Sequence, residues 1–406
     1  MVTIHSGAWR RLGLGLVVSS VGIALLCWWL GAGVGVDSGV YRAGGLALLH
    51  GDPLYGSLRF LPSISHGLPF TYPPVAAVLF LPLGALPPQL VWGLFAVLTA
   101  LGLVLVLRTS VTVAGPRWLV PALGLGVFAL EPVWRGLGLG QLNVVLMALV
   151  VLDVLVLPRN RYRGVLVGLA AAIKLTPLIF VLHLLVTGRR ADAARALGTL
   201  FGLNAVCLLV LPRDTLTYWR TQLLGGDNAT GASFGRNQSL NGLIQRIVGH
   251  SGLAFPLAVL AGLACLAIAL PMARTLHRRG DALGALLVTA FCGLLVSPIS
   301  WTHHWVWLVP LAGLLVSRAA HRPSMATILP IAGLAALGTG ICSMMPVGND
   351  AEQHWNIVQL LLGNAYVLGT LAVFAVLAMR LHGARPSAVD IPELSRASGT
   401  PAASRG

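Results

Sequence analysis

A single carboxylate, Asp37, stands a few residues beyond the first long apolar segment of the sequence, and Tyr41 and Arg42 follow it. The apolar segment runs from Leu12 to Val34, and a helix needs about 20 such residues to cross the hydrocarbon core of a membrane. Asp37 is therefore expected at a membrane face. We expect the chemistry of the protein to be centred on this carboxylate.

A second role for Asp37 is compatible with the first. Residues Gly39 to Leu49 are apolar enough to form a short helix lying at the membrane interface, with Asp37 at or just before its N-terminus. A carboxylate there can cap the free N–H groups of the helix and is stabilised by the helix dipole. Farther along this loop, Tyr72 precedes two prolines and could serve as an interfacial aromatic residue.

The only lysine in the chain, Lys174, lies in an apolar segment between Ala170 and Pro177. An ionisable group inside a membrane segment is costly unless it is paired or hydrated, so it marks a candidate functional site. A lipid phosphate is a natural partner for its charge. The alternative is a lysine whose ammonium simply reaches the membrane interface.

Paired histidines, His303 and His304, follow Trp301 at the end of another apolar segment. They could bind a metal ion, but no carboxylate or cysteine accompanies them in this stretch, so a metal site is not favoured. The neighbouring tryptophans also suit an interfacial aromatic belt. Hydrogen bonding of the histidines to a phosphate is the third interpretation.

Two further polar regions accompany these residues. Glu131 and Arg135, spaced four apart, suit an ion pair on one helical face, or they could line a pocket together with Gln141 and Asn143. The loop from 214 to 249 is polar and Gly-rich; it could cover the site as a lid or merely connect two membrane segments. Its polar residues include Arg236 and Asn237.

Composition indicates a multi-pass, all-α membrane protein. The chain is 56% hydrophobic and only 10% charged, with a mean hydropathy of +0.84 over 406 residues. The net charge of +15 comes from short arginine clusters between apolar segments, so it does not indicate a nucleic-acid partner. The five cysteines all lie in apolar segments without paired spacing, which indicates neither disulfides nor zinc.

The apolar segments predict about 12 membrane segments within one domain, residues 1–385. The stretch 75–107 is too long for one span, so its first part is expected to lie at the interface and the span to begin near Gln89. The stretch 164–187 is predicted to be two short segments that meet near Lys174. Two large extracytoplasmic loops, 35–74 and 212–253, and a disordered cytoplasmic tail, 386–406, complete the predicted organisation.

Six short motifs occur in the order seen in the actinobacterial polyprenyl-phosphate-mannose-dependent α-(1→2)-mannosyltransferases, and the chain resembles that family over roughly residues 10–380. The members are integral membrane glycosyltransferases of the C superfamily that act on phosphatidylinositol mannosides and lipomannan. The motifs are Asp37 to Tyr41, Gly51 to Tyr55, Phe70 to Pro74, Gly140 to Asn143, Lys174 to Pro177 and Ser297 to Trp307.

The resemblance implies a C-superfamily fold and a mechanism. Its catalytic acidic residue in the first extracytoplasmic loop corresponds to Asp37, which would take the proton from the acceptor hydroxyl as the anomeric carbon is inverted. The donor would be a polyprenyl-phosphate mannose, the acceptor a mannosylated lipid, and neither a cofactor nor a metal would be needed. Donor phosphate contacts are expected from Lys174, His303, His304 and Arg236. Substrate contacts are expected from Tyr41, Arg42, Tyr72, Gln141, Asn143, Asn237 and Trp301.

Three alternatives remain open from the sequence. The same family includes arabinofuranosyltransferases that use decaprenyl-phosphate arabinose. A lipid transporter or flippase would also explain Lys174 and the interrupted segments, although the polar residues are concentrated in one loop and no two matching halves are found. A purely structural membrane scaffold would make Asp37 dispensable.

The distribution of basic residues predicts the orientation of the chain. With both termini in the cytoplasm, the cytoplasmic side receives 19 of the 27 basic residues, as the positive-inside rule requires. A topology reporter fused after Arg279 should therefore be cytoplasmic, and one inserted near Asn228 should be extracytoplasmic. Finding both reporters on one side of the membrane would overturn the predicted placement of Asp37 on the extracytoplasmic face.

Overall fold

The structure, a computed structural model, describes residues 6–111, 119–158, 160–222, 231–249, 251–321 and 324–383. These residues form helices and contain no β-sheet. The predicted tail, 386–406, and Asn228 lie outside the described residues. The α-helices are α1 Ser6–Trp29, α2 Val36–His50, α3 Pro74–Phe80, α4 Pro88–Ser110, α5 Leu119–Phe128, α6 Glu131–Leu139, α7 Asn143–Val151, α8 Val165–Ile173, α9 Ile179–Val186, α10 Arg190–Val210, α11 Pro212–Thr217, α12 Leu240–Val248, α13 Ala254–Arg278, α14 Ala282–Val296, α15 Leu308–His321, α16 Met325–Gly338, α17 Ile357–Gly363 and α18 Ala365–Gly383.

The helices confirm an all-α protein but not the predicted number of membrane segments. Within the described residues, four helices (α1, α4, α10 and α13) are long and apolar enough to span a membrane. The count rises to six if α5 with α6, and α17 with α18, each form one bent span. Five shorter apolar helical stretches remain, and length alone does not make them full spans.

The helix predicted in the first loop is present as α2, and it is longer than expected at both ends. Its N-cap is Gly35, which has a left-handed backbone (φ 73°) and no side-chain cap. Asp37 is the second residue of the helix, so its carboxylate does not cap the N-terminus but still lies where the helix dipole favours a negative charge. The carboxylate is thus available for other contacts.

One face of α2 is packed against the helices that follow it. Tyr41, Ala43 and Ala47 are completely or almost completely buried. Gly45 meets the backbone of α3: a Cβ atom there would stand 2.4 Å from the Phe80 carbonyl oxygen. This close approach explains why the helix carries glycine at 45, and it holds α2, which carries Asp37, against α3.

Both irregular stretches predicted from the sequence are broken where expected. In the first, α3 is followed by a 3-10 turn, Leu81–Ala85, before α4 begins at Pro88. In the second, α8 ends at Ile173, Lys174 adopts an extended backbone (φ −149°), and a 3-10 turn at Thr176–Leu178 leads into α9. Lys174 therefore lies at a helix break, where its side chain can turn towards a polar region.

Candidate active site

Two glycine turns bring Asp37 and Gln141 together. Gly35, before α2, and Gly140, after α6, both have left-handed backbones, and a Cβ on either would collide with the Ser38 side chain. Only glycine satisfies both the backbone angle and the close packing at these positions. As a result, the Gly140–Gln141 turn lies directly against the start of α2.

A chain of side-chain hydrogen bonds ends on Asp37. Gln141 Nε2 donates to Asp37 Oδ2 at 2.6 Å, and Tyr41 OH donates to Gln141 Oε1 at 3.0 Å. Tyr41 OH also lies 2.9 Å from Tyr72 OH. Because Tyr41 donates to the amide oxygen, Gln141 must direct its NH₂ group at the carboxylate. The four side chains predicted as site residues therefore form one connected network.

Lys174 has three partners at the α8–α9 break. Its Nζ donates to Asn143 Oδ1 at 3.1 Å and lies 3.1 Å from His304 Nε2. It also lies 5.5 Å from the centre of the Tyr72 ring, within range of a cation–π interaction. An ammonium group has three donors and no acceptor, so His304 Nε2 must accept and the ring must be neutral. One donor of Lys174 remains for a ligand.

The two histidines differ in their surroundings. Their rings stand edge to face with centroids 4.8 Å apart. His304 is bonded to Lys174, whereas His303 is 8% exposed and its Nε2 has no hydrogen-bond partner among the described residues. Buried polar atoms are nearly always paired, so His303 Nε2 is a candidate to contact a ligand.

Glu131 holds the residue that directly precedes the two histidines. It is completely buried and accepts a hydrogen bond from Thr302 Oγ1 at 2.7 Å. Tyr366 OH donates to it at 3.3 Å, and Arg135 Nε lies 3.6 Å away. The predicted Glu131–Arg135 pair is thus present, and it is part of a larger cluster that positions Thr302 directly before the histidines.

Arg236 and Asn237, the predicted site residues of the second loop, connect that loop to the segment before the histidines. Asn237 is buried; its Nδ2 donates to two carbonyls, and its Oδ1 accepts from the Ser300 N–H at 2.9 Å. It also forms an isolated β-bridge with Trp301. Arg236 lies beside this bridge, with its carbonyl accepting from the Thr302 N–H and its Nε buried without a hydrogen-bond partner among the described residues.

The structure directs the Arg42 side chain away from the Asp37 network. Its Nε donates to the Leu86 carbonyl at 2.7 Å, which ties α2 to the turn before α4. The helix geometry accounts for this, because residues 37 and 42 are five apart and project from different sides of α2. A substrate contact by Arg42 stays a prediction.

Burial raises the pKa of the Asp37 carboxyl above its ordinary value. The hydrogen bond from Gln141 and the charges of Lys174 and Arg135 oppose this effect. Asp37 belongs to α2, which is not among the candidate membrane spans. A carboxylate with a raised pKa is a stronger base than an exposed aspartate, which suits it to accept a proton.

The arrangement has two parts with different chemistry. One is a carboxylate held by Gln141, and the other is a basic group around Lys174 and His303 that is suited to an oxyanion. The two parts are neighbours, because Tyr72 belongs to the Asp37 network and its ring centre lies 5.5 Å from Lys174 Nζ. Within the described ranges, no three His, Cys, Asp or Glu side chains are placed to share a metal ion.

Two contributors were missed in the sequence. Thr302 stands next to the histidines, but a lone threonine gives no signal of a carboxylate partner 171 positions away. Tyr366 lies in the final helical region and meets Glu131 across 235 positions. Only tertiary structure joins such residues, and no local spacing could have indicated either contact.

A chain of membrane helices with this polar site has recognisable relatives. The profile of glycosyltransferase family 87 matches residues 70–298, more than half of the chain. The chain belongs to glycosyltransferase family 87 and is therefore a glycosyltransferase. The family resemblance carried by the sequence motifs is confirmed.

Curated relatives support the same assignment. The chain is 37% identical, over 89% of its length and 86% of the relative's, to the polyprenol-phosphate-mannose-dependent α-(1-2)-phosphatidylinositol pentamannoside mannosyltransferase of Mycobacterium tuberculosis (strain CDC 1551 / Oshkosh). It is 34% identical, over 84% of each chain, to the polyprenol-phosphate-mannose-dependent α-(1-2)-phosphatidylinositol mannoside mannosyltransferase of M. tuberculosis (strain ATCC 25618 / H37Rv). Among solved structures, ArnT from Cupriavidus metallidurans bound to undecaprenyl phosphate gives a TM-score of 0.43 at 17% identity, covering 91% of this chain and 75% of that one.

The hydrogen bond from Gln141 predicts a pH effect. It stabilises the charged form of Asp37, so removing it in Gln141→Leu should raise the Asp37 pKa further. Activity that needs the carboxylate is lost as pH falls through this pKa, so the acid limb of the kcat/KM profile should move to higher pH. Gln353→Leu, which removes an amide outside the site, should leave the limb in place. An unmoved limb in Gln141→Leu would contradict the role of Asp37 as the titrating base.

Proposed function

We propose that the protein transfers mannose from polyprenyl-phosphate mannose to a mannosylated glycolipid and forms an α-(1→2) linkage. The acceptor would be a phosphatidylinositol mannoside or lipomannan/lipoarabinomannan. The observation that carries the proposal is the Gln141–Asp37 hydrogen bond, in a network that includes Tyr72, whose ring centre lies 5.5 Å from Lys174 Nζ. Relatives of the chain are named as polyprenol-phosphate-mannose-dependent α-(1-2) mannosyltransferases. Arabinofuranosyl transfer is the alternative within the same family.

Asp37 is proposed as the general base. The polyprenyl phosphate leaves as a stable anion, so no general acid is needed to expel it. The acceptor hydroxyl must lose its proton as its oxygen attacks the anomeric carbon, and Asp37 would accept that proton. Attack from the face opposite the phosphate would convert a β-linked donor into an α-linked product, with one bond formed and one broken.

The phosphate is proposed to lie between Lys174 and His303. Lys174 has one ammonium donor left after its bonds to Asn143 and His304, and His303 Nε2 is buried without a hydrogen-bond partner in the described residues. Both could donate to phosphate oxygens as negative charge grows on them. His304 would act indirectly, by orienting Lys174. Arg236, whose buried Nε also lacks such a partner, is a further candidate donor.

The membrane arrangement is also part of the proposal. Short apolar helices such as α14 would complete about 12 membrane segments, with both termini in the cytoplasm and the Asp37 site on the extracytoplasmic face. Polyprenyl-linked donors and glycolipid acceptors are both membrane lipids, so they could reach the site from the bilayer. The single phosphate of the leaving group would need no metal ion.

Asp37→Asn should abolish transfer while the protein still folds and inserts. Asparagine preserves the shape of the side chain but cannot accept the proton, and loss of a general base typically lowers the rate by about 10²- to 10⁴-fold. Transfer would be measured with detergent-purified protein, a donor and an acceptor. Turnover by the unsubstituted protein under these conditions, without a vesicle, would also exclude transport as the primary activity.

Asp52→Asn is the matched control, because it changes a carboxylate of the same loop that is not part of the Asp37 network and whose Oδ2 lies 3.8 Å from Nη1 of the exposed Arg59. It should keep nearly full activity. Retention of more than about a tenth of the activity by Asp37→Asn would count against Asp37 as the base.

Lys174→Met should weaken use of the donor with little loss of folded protein. Methionine matches the stem of lysine and removes the charge, so the apparent KM for the donor should rise about tenfold or more. The apparent KM for the acceptor should change much less. The measurement is a pair of titrations in which each substrate is varied while the other is held constant.

Arg59→Met provides the control, since Arg59 is a largely exposed cation outside the site. His303→Ala should also lower activity, and a chelator should have no effect. Unchanged donor dependence in Lys174→Met would refute the phosphate role. Activity lost to the chelator and restored by a divalent ion would refute the metal-free mechanism.

A further inference from the structure

A second polar region lies at the other end of the short helices that form the Asp37 site. It is a cavity of about 740 Å³ between the end of α7, the start of α8, the α9–α10 turn and the α13–α14 turn. Its basic lining residues are Arg163, Arg189, Arg190, His183 and His277, and its only acidic lining residue is Asp192. The cavity is large enough for a lipid headgroup.

The cavity and the Asp37 site lie at opposite ends of the same helices. The helix that starts at Asn143, beside Lys174, continues to Val156 and ends at the cavity. At 1.5 Å per residue, these 14 residues span about 20 Å. Likewise, α14 begins at the cavity with Ala282 and ends at Val296, close to the histidine segment. The cavity therefore lies at the helix ends opposite the Asp37 site.

The acidic groups near the cavity are already satisfied within the protein. Asp153 accepts three backbone N–H groups at the start of α8, at 2.7, 2.9 and 3.1 Å. Asp192 accepts from Arg189 Nε at 2.6 Å and also bonds Arg195. Neither carboxylate is therefore free to neutralise further charge in the cavity.

Several basic groups that line the cavity, by contrast, have hydrogen-bonding atoms left for a ligand. Arg189 Nη2 is buried and lacks a hydrogen-bond partner in the described residues, and Asp153 Oδ1 lies 3.9 Å from it. Arg190 is exposed, and His277 is half-buried; neither makes a hydrogen bond or ion pair with any described residue. An exposed arginine, a guanidinium nitrogen without a hydrogen-bond partner and an imidazole that can donate favour an anion in the cavity, and guanidinium groups match the geometry of phosphate oxygens.

Apolar side chains next to the cavity indicate where the anion comes from. Val156 follows the lining residue Leu155 and is 44% exposed. Leu185 lies two residues before the lining residue Thr187 and is 46% exposed. Helices α10 and α13, which border the cavity, are candidate membrane spans. A ligand at this position would thus combine a phosphate in the cavity with hydrocarbon along the helices.

We propose that this cavity binds the phosphate of an anionic phospholipid in the membrane leaflet opposite the Asp37 site. Arg190 and His277 would contact the headgroup directly, while Arg189 would be held in place by Asp192. The bound lipid would join α7, α8, α10 and α13 at the end remote from the catalytic residues. No substrate of the transfer reaction is involved in this contact.

The test uses the full chain purified in detergent and short-chain phosphatidylglycerol as the probe, with bound lipid counted by native mass spectrometry. The double variant Arg190→Gln/His277→Gln should bind the probe about tenfold more weakly, as expected for loss of charge-assisted hydrogen bonds. Arg278→Gln removes an exposed arginine that adjoins His277 but does not line the cavity. This control should change binding less than about twofold.

Any one of three other outcomes would overturn the proposal. Equal weakening in the double variant and in Arg278→Gln would show general surface attraction, not a site. Equal binding of phosphatidylcholine would show that net negative charge is not recognised. Inorganic phosphate that binds as tightly as the lipid probe, and displaces it, would refute a membrane lipid as the source. Because the readout is lipid binding, the result is independent of whether the proposed mannosyl transfer is correct.

Discussion

The position of Asp37 depends on the hydrogen bond that it accepts from Gln141. A partly buried carboxylate is stable only if its lost hydration is replaced, and Gln141 supplies one strong donor at 2.6 Å. Tyr41 fixes the orientation of that amide by donating a hydrogen bond to its oxygen. The left-handed glycines at 35 and 140 allow the start of α2 and the turn after α6 to approach each other. The remaining carboxylate oxygen is not used by Gln141 and can face a substrate.

Lys174 is subject to a similar constraint with the opposite charge. The break between α8 and α9 allows its ammonium group to reach Asn143, His304 and the Tyr72 ring, all of which are uncharged partners. Its charge is therefore solvated but not neutralised by a direct ion pair. A lysine held in this way keeps its attraction for an anionic ligand, which is what a phosphate leaving group requires.

The sequence singled out Asp37 and Lys174 for physical reasons that act locally. A carboxylate just after a long apolar run must lie near a membrane face, and a lysine with a nearby proline in an apolar segment must interrupt a helix. The same reasoning could not count the membrane segments, because apolar runs of 10–17 residues suit either short spans or buried helices. It could not find Thr302 and Tyr366 either, since their contacts with Glu131 depend on packing between distant segments.

The central claim is that this site transfers mannose with inversion to a hydroxyl of a mannosylated lipid. The most direct measurement gives purified protein equal amounts of polyprenyl-phosphate mannose and polyprenyl-phosphate arabinose, together with a panel of mannosylated lipids, and determines the product linkage by NMR. The account predicts a new α-(1→2)-linked mannose on one of the acceptors. A product carrying arabinofuranose, or a mannose in the β configuration, would contradict it.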